Sequence, residues 1–108
     1  MLKQIIIKTQ FEGFHLWAGA GKKYEYLSHT HRHIFYVEAR KSVTDSDREI
    51  EFIDLKRKLT NYCRVTYENR TFGDSCEHIA EHLLEQFDFD SVQVMEDNEN
   101  GAIVYKGC

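Results

Sequence analysis

Three histidines lie close together in the segment "LSHTHRHIFYVEARK", at His29, His31 and His33. The apolar and β-branched residues that follow predict a strand from about residue 31 to residue 43. Side chains alternate between the two faces of a strand, so His31 and His33 would lie on one face, about 6 to 7 Å apart. Imidazoles placed in this way can bind a transition metal, which is the first of two interpretations.

A further histidine can join this pair. His15 lies on an earlier predicted strand with the parity of Phe11, and an antiparallel pairing would bring it beside His31 and His33. Three imidazoles from two strands, with a fourth position open, are typical of a catalytic zinc site, where the metal polarises an oxygen atom or activates water. The second interpretation is a polar strand start, because His-x-His pairs also occur by chance. Spacing alone leaves both interpretations open.

The elements that must position these residues follow from hydrophobic periodicity. Alternating apolar residues between positions 2 and 16 predict a first strand, in which Gly13 favours a bend or bulge. The glycine- and lysine-containing stretch after it indicates a loop. Apolar residues at spacings of three and four predict one helix from Phe52 to Cys63 and a second from Cys76 to Phe87.

The second helix also has start signals. Asp74 or Ser75 can cap it, and Glu77 is three residues after Asp74, as a capping box requires. The C-terminal "SVQVMED", the turn-like "NENG" and "AIVYK" predict a β-hairpin.

The predicted order is strand, strand, helix, helix, strand, strand. This order indicates an α+β fold, with a four-stranded antiparallel sheet and both helices on one face. A chain of 108 residues without a linker fits a single domain over residues 1–108. Edge strands can pair between subunits into a closed barrel, so we expect a homo-oligomer.

Composition excludes several classes of protein. The formal charge of −4 argues against a nucleic-acid partner, which requires a basic surface. No apolar run approaches the roughly 20 residues of a membrane span, and the N-terminus is too polar for a signal peptide, so we expect no membrane partner. Cys63, Cys76 and Cys108 lack C-x-x-C spacing and suggest neither a disulfide framework nor a thiolate zinc site. A cytoplasmic location is expected.

The segments "FEGFH", "HRHIF" and "EFIDLK", in this order, resemble the 6-pyruvoyl-tetrahydropterin synthase and 6-carboxytetrahydropterin synthase family. In that family a phenylalanine precedes the first zinc histidine by four residues, an H-G-H supplies the other two ligands, and D-F-x-x-L-K opens the first helix. The resemblance implies a zinc cofactor with His15, His31 and His33 as ligands and His29 as a bystander. It also implies the tunnelling fold (T-fold, ββααββ), whose sheets join into the barrel of a trimer or hexamer.

The resemblance continues towards the C-terminus. "DSCEHIAEHL" resembles P-T-x-E-x-x-A at the start of the family's second helix, with Ser75 at the threonine and Glu77 at the glutamate. "VQVMED" is similar to V-x-V-x-E-T, whose glutamate holds the 2-amino group and ring nitrogen of a pterin, which implies this role for Glu96. The implied ligand is a pterin or purine-derived small molecule such as dihydroneopterin triphosphate.

The sequence departs from the family at the groups that transfer protons. The usual cysteine, four residues before H-G-H, is replaced by Leu27, and no L-D-H motif is present. An ungapped alignment lays Tyr67 and Glu68 over the aspartate and histidine of that motif, and Arg32 replaces the glycine of H-G-H. Some relatives use a nearby glutamate, for which Glu25 is a candidate, although a solvated surface charge is the simpler interpretation.

Two functions follow from the resemblance. The first is a zinc-dependent carbon–oxygen lyase acting on a pterin triphosphate or related substrate, with its catalytic residues unassigned. The alternative is a catalytically inactive relative that binds or sequesters a pterin, purine or nucleotide, since the cysteine and both its partners are replaced together. A third interpretation is a scaffold whose sheet only assembles a barrel.

Glu77 and Glu96 also have purely structural interpretations, Glu77 as a helix-capping residue and Glu96 as the start of an acidic turn.

Overall fold

The computed structural model describes residues 1–107, and Cys108 lies outside the described residues. The fold is α+β, with two α-helices, a 3₁₀ helix and one five-stranded sheet. The strands are β1 (Lys3–His15), β2 (His31–Val43), β3 (Thr71–Phe72), β4 (Ser91–Glu96) and β5 (Asn100–Tyr105). The helices are the 3₁₀ helix (Lys22–Ser28), α1 (Phe52–Thr66) and α2 (Cys76–Phe87).

The sheet has the strand order β3-β1-β2-β4-β5. Its four longer strands pair antiparallel, whereas β3 pairs parallel with the end of β1. This corrects the prediction of a four-stranded, wholly antiparallel sheet, because the observed sheet is mixed and has a fifth strand. A strand of two residues is too short to produce a hydrophobic period, so β3 could not be predicted from the sequence. The segment predicted as a loop contains the 3₁₀ helix.

The core lies on one face of the sheet. The buried positions of β1 and β2, including Ile7, Phe11 and Phe35, recur at every second residue. Leu59 of α1 and Ile79 of α2 belong to the same buried cluster, so both helices pack on that face. The rings of Phe11 and Phe35 stack 5.1 Å apart across the strand pair. Burial of large apolar side chains of this kind contributes about 1.5–3 kcal/mol each.

Helix α2 begins at a serine cap. The Ser75 Oγ accepts a hydrogen bond from the His78 N–H at 3.1 Å. The alternative capping box between Asp74 and Glu77 is therefore not used, since the cap lies one residue later. No helix within residues 1–107 is long and apolar enough to cross a membrane.

Gly13 has a packing role that differs from the predicted one. The β1–β2 register runs without interruption from Lys3 to His15, so no bulge is present at Gly13. A β-carbon at this position would lie 2.5 Å from Cε1 of Phe72. The Phe72 ring is enclosed by other rings, with centroids 5.2 Å from Tyr67 and 5.5 Å from His15. Glycine is needed here so that Phe72 can pack beside His15.

We predict that Gly13→Ala destabilises the protein by about 1–3 kcal/mol, as overpacking of an enclosed site does. Urea unfolding followed by circular dichroism measures this change. Gly19→Ala is the matched control, because the nearest atom to a β-carbon at Gly19 is 4.0 Å away. Equal stabilities of the two variants would contradict this account of Gly13.

Candidate metal centre

Three histidines converge at the end of the β1–β2 pair. His15 lies directly opposite His31 in the register, and His33, opposite Gly13, is two residues farther along the same face of β2. One ligating nitrogen from each of the three imidazoles lies within 4.8 Å of the other two. His15 is the most enclosed, with 8% of its surface exposed. The structure thus brings together the three side chains that the sequence singled out.

The His15 ring is oriented by a backbone carbonyl. Its Nε2 lies 2.7 Å from the Asp74 oxygen, which can only accept, so Nε2 carries the proton and donates. The other nitrogen, Nδ1, is then an unprotonated acceptor. It is buried and has no hydrogen-bond partner among the described residues. A buried polar atom without a partner costs free energy, and a bound cation would relieve that cost.

The two histidines of β2 are oriented in the same manner. The Nδ1 of His31 donates to the carbonyl oxygen of His29 at 2.8 Å, and the Nδ1 of His33 donates to Oδ2 of Asp97 at 2.6 Å. In the neutral form of each ring, the lone pair lies on Nε2. Each histidine uses one nitrogen as a donor to an oxygen and leaves the other as an acceptor, which is the usual arrangement of histidine ligands around a metal.

Asp97 is itself held in place. It lies in the turn between β4 and β5 with a left-handed φ of 51°, its N–H donates to the Ile34 oxygen at 2.7 Å, and its Oδ1 accepts from the Ile34 N–H at 2.9 Å. The hydrogen bond from Ile34, followed by that from His33, holds the pKa of the Asp97 carboxyl below its ordinary value. The carboxylate is ionised at neutral pH and favours a cation nearby.

Glu96 adds a second carboxylate. Its Oε2 lies 3.4 Å from Nε2 of His33, and its Oε1 lies 3.9 Å from Nδ1 of His15. Within residues 1–107, Glu96 forms an ion pair with no lysine or arginine, and its carboxylate faces the imidazoles. Three imidazole nitrogens beside two carboxylates can hold one divalent transition metal ion.

A cleft of about 600 Å³ opens beside the three histidines. Glu96, Ser75 and Glu77, the residues predicted to bind a ligand, all line it. Glu96 ends β4 with its carboxylate towards the imidazoles, the Ser75 hydroxyl is engaged as the helix cap, and Glu77 is exposed in the first turn of α2. Other lining residues are Trp17, Leu27, Gly73, Cys76, His78, Asn100 and Gly101.

Two side chains near the histidine run do not enter the cleft. His29 is exposed and contributes its carbonyl oxygen, not its imidazole, to the site. The Arg32 guanidinium donates to Glu12 at 2.7 Å on the opposite face of the sheet. This hydrogen bond holds the pKa of the Glu12 carboxyl below its ordinary value. The arginine therefore alters the outer surface and leaves the cleft unobstructed.

The candidates for proton transfer lie elsewhere. Glu25 is exposed and lines a separate shallow hollow. Glu68 accepts a hydrogen bond from the Glu12 N–H at 3.1 Å, which is a structural role. Tyr67 is buried in the core, its ring stacked on Phe11 with centroids 5.1 Å apart. Neither Glu25, Tyr67 nor Glu68 lines the cleft.

Sequence reasoning missed several parts of this site. Asp97 and the Asp74 carbonyl fix the histidine rings. Both residues lie in segments that the sequence singled out, but for other roles. Cys76 was placed in the apolar stripe of the second helix and given no part in the site, yet its Sγ lies 3.8 Å from Oε1 of Glu96. Burial, and then the negative charge of Glu96, raises the pKa of the Cys76 thiol to about 12, so it is protonated at neutral pH.

Comparison with known proteins adds no assignment: no protein-family model matches the chain, and no curated protein matches it.

We predict that Asp97→Asn weakens metal binding about tenfold or more, because the ring of His33 loses its charged acceptor. Asparagine tolerates the left-handed backbone, so the turn is preserved. Competition with a chromogenic chelator measures the metal affinity. Asp47→Asn removes the same charge from a side chain that is 82% exposed and should leave the affinity unchanged. Equal affinities of the two variants would contradict the role given to Asp97.

Proposed function

We propose that this protein binds one zinc ion through His15, His31 and His33 and holds a pterin or purine-derived small molecule in the adjoining cleft. The observation that carries the proposal is the hydrogen-bond pattern of the three rings. Each imidazole donates its outer N–H to an oxygen and turns a free nitrogen inwards. Such a pattern has no use in a plain polar strand start, and it leaves the buried His15 Nδ1 without a partner.

Zinc suits this donor set better than the hard cations. Neutral imidazole nitrogen is a borderline donor that zinc accepts, whereas magnesium and calcium prefer oxygen ligands. Three protein ligands leave one position of a tetrahedral ion for water or a ligand. When bound, zinc supplies a Lewis acid that can polarise an oxygen atom of the ligand.

The proposed family is that of the 6-pyruvoyl- and 6-carboxytetrahydropterin synthases. Two long antiparallel strands, two helices against one face and a closing hairpin support a T-fold of the ββααββ type, to which β3 is an addition. The oligomer would be a trimer or hexamer whose sheets join into a barrel. The edge strand β5 and the length of β1 that β3 leaves uncovered offer backbone groups for this pairing.

Recognition of the heterocycle is assigned to the polar end of the cleft. The Glu96 carboxylate accepts hydrogen bonds from the amino group and ring N–H of a pterin or guanine-type ring. Ser75 and Glu77, at the N-terminus of α2, also line the cleft and offer polar contacts to ring or side-chain atoms. The cleft volume of about 600 Å³ accommodates a molecule of this size.

Of the two candidate functions, binding of the ligand without its chemical conversion is better supported than catalysis. Leu27 occupies the position of the family's cysteine and lines the cleft with an apolar side chain that can neither take nor give a proton. The residues aligned with the cysteine's partners serve the core and the backbone, as Tyr67 and Glu68 show.

A zinc-dependent carbon–oxygen lyase is the second candidate. The observation in its favour is His78, an imidazole outside the histidine trio that also lines the cleft. Imidazole transfers protons near neutral pH, so His78 offers one route to catalysis without the cysteine.

We predict about one zinc ion per chain in the purified protein. His31→Ala and His33→Ala should each weaken zinc binding about a hundredfold or more, because a direct ligand contributes more than an outer-sphere partner. His29→Ala is the matched control, since it removes an exposed imidazole of the same segment and retains the carbonyl that orients His31. Metal analysis and chelator competition give the result. A loss of zinc in the control equal to that in the other two variants would refute the assignment.

We further predict that native mass spectrometry detects a heterocyclic ligand bound to the protein, either retained through purification or added afterwards. Denaturation should release this ligand chemically unchanged. Zinc-loaded protein incubated with dihydroneopterin triphosphate should release no triphosphate. Zinc-dependent triphosphate release would instead establish the lyase, and His78→Ala should then abolish it. A zinc-loaded protein that binds neither pterins nor purines would refute both candidates.

A further inference from the structure

One wall of the cleft is apolar and comes from the loop between β1 and β2. Trp17 and Leu27, from opposite ends of this loop, both line the cleft. The Trp17 N–H donates to the Leu27 oxygen at 2.7 Å, and the Ala20 N–H donates to the Trp17 oxygen at 3.2 Å. These bonds fix the backbone of the wall, although few of its side chains are buried.

The indole of Trp17 packs against a second aromatic ring. Its ring stacks on that of Tyr24 in the 3₁₀ helix, with centroids 5.6 Å apart and planes 29° from parallel. Trp17 nevertheless exposes 45% of its surface. A large aromatic side chain that is held by a neighbour and remains exposed at a cleft is a ready contact surface for another ring.

We propose that Trp17, backed by Tyr24, is a stacking platform for the planar ring of the ligand. The inference rests on the proposed function and extends it, because it names the residue that selects flat aromatic rings over sugars or phosphates. The polar edge of such a ring faces Glu96, and its face lies on the indole. Stacking on an aromatic side chain discriminates little between flat ring systems, because each of them presents a π-face. The platform therefore accepts pterins and purines alike.

Trp17 is the single tryptophan of the chain, so fluorescence excited at a wavelength that tyrosine does not absorb reports the platform alone. Zinc-loaded protein is titrated with biopterin, with GTP and, as a probe without a ring, with inorganic tripolyphosphate. Biopterin and GTP should quench the fluorescence, and tripolyphosphate should not. Quenching by biopterin alone would restrict the platform to pterins, and quenching by GTP alone to purines; either result supports the inference.

Variants then test whether the contact contributes to affinity, measured by isothermal titration calorimetry with biopterin and GTP. Trp17→Leu should weaken binding about ten- to a hundredfold, the range expected from the loss of one stacked ring, and Trp17→Phe should restore most of the affinity. Tyr24→Ala should weaken binding to a smaller extent. Tyr26→Ala is the control, because Tyr26 lies in the same helix, is 68% exposed and does not line the cleft. This variant should bind both ligands with unchanged affinity.

The outcomes separate the two proposals. Unchanged affinity in Trp17→Leu, with zinc content and circular dichroism like those of the parent protein, overturns the platform and leaves the proposed function intact. Zinc-loaded parent protein that binds neither biopterin nor GTP overturns both.

Discussion

The antiparallel pairing of β1 with β2 is the constraint on which both the core and the site depend. On one face of this pair, Phe11 lies opposite Phe35 and, four residues later, His15 lies opposite His31. The alternation that buries the phenylalanines therefore also directs the imidazoles to the same side. A slip of one residue would turn both sets to the other face, so the core fixes the register of the site.

The outer partners of the histidines come from parts of the chain that are distant in sequence. The loop before β2 supplies the His29 carbonyl, the segment before α2 supplies the Asp74 carbonyl, and the β4–β5 turn supplies Asp97. The three free nitrogens are thus oriented only when the hairpin and α2 are packed in place. A preorganised set of donors binds a metal more tightly than a flexible one, because less conformational entropy is lost on binding.

The sequence predicted the parts of this structure that depend on periodicity. The long strands and both α-helices were placed within a few residues, since alternation and helical spacing persist over many positions. The three histidines were found by the parity of strand residues. Phe72 and Asp97 were not found, because their roles depend on contacts between segments far apart in sequence. Gly13 was predicted to favour a bend or bulge, because the ring that requires a glycine there belongs to Phe72, about 60 residues away in the sequence.

The central claim is that the inward nitrogens of three histidines bind one metal ion. Anomalous scattering at the zinc edge, from crystals of zinc-loaded protein, tests it most directly. The account predicts a single strong peak about 2.0–2.1 Å from Nδ1 of His15 and from Nε2 of both His31 and His33. A zinc-saturated crystal with no peak among these three atoms, or with His15 bound through Nε2, would contradict it.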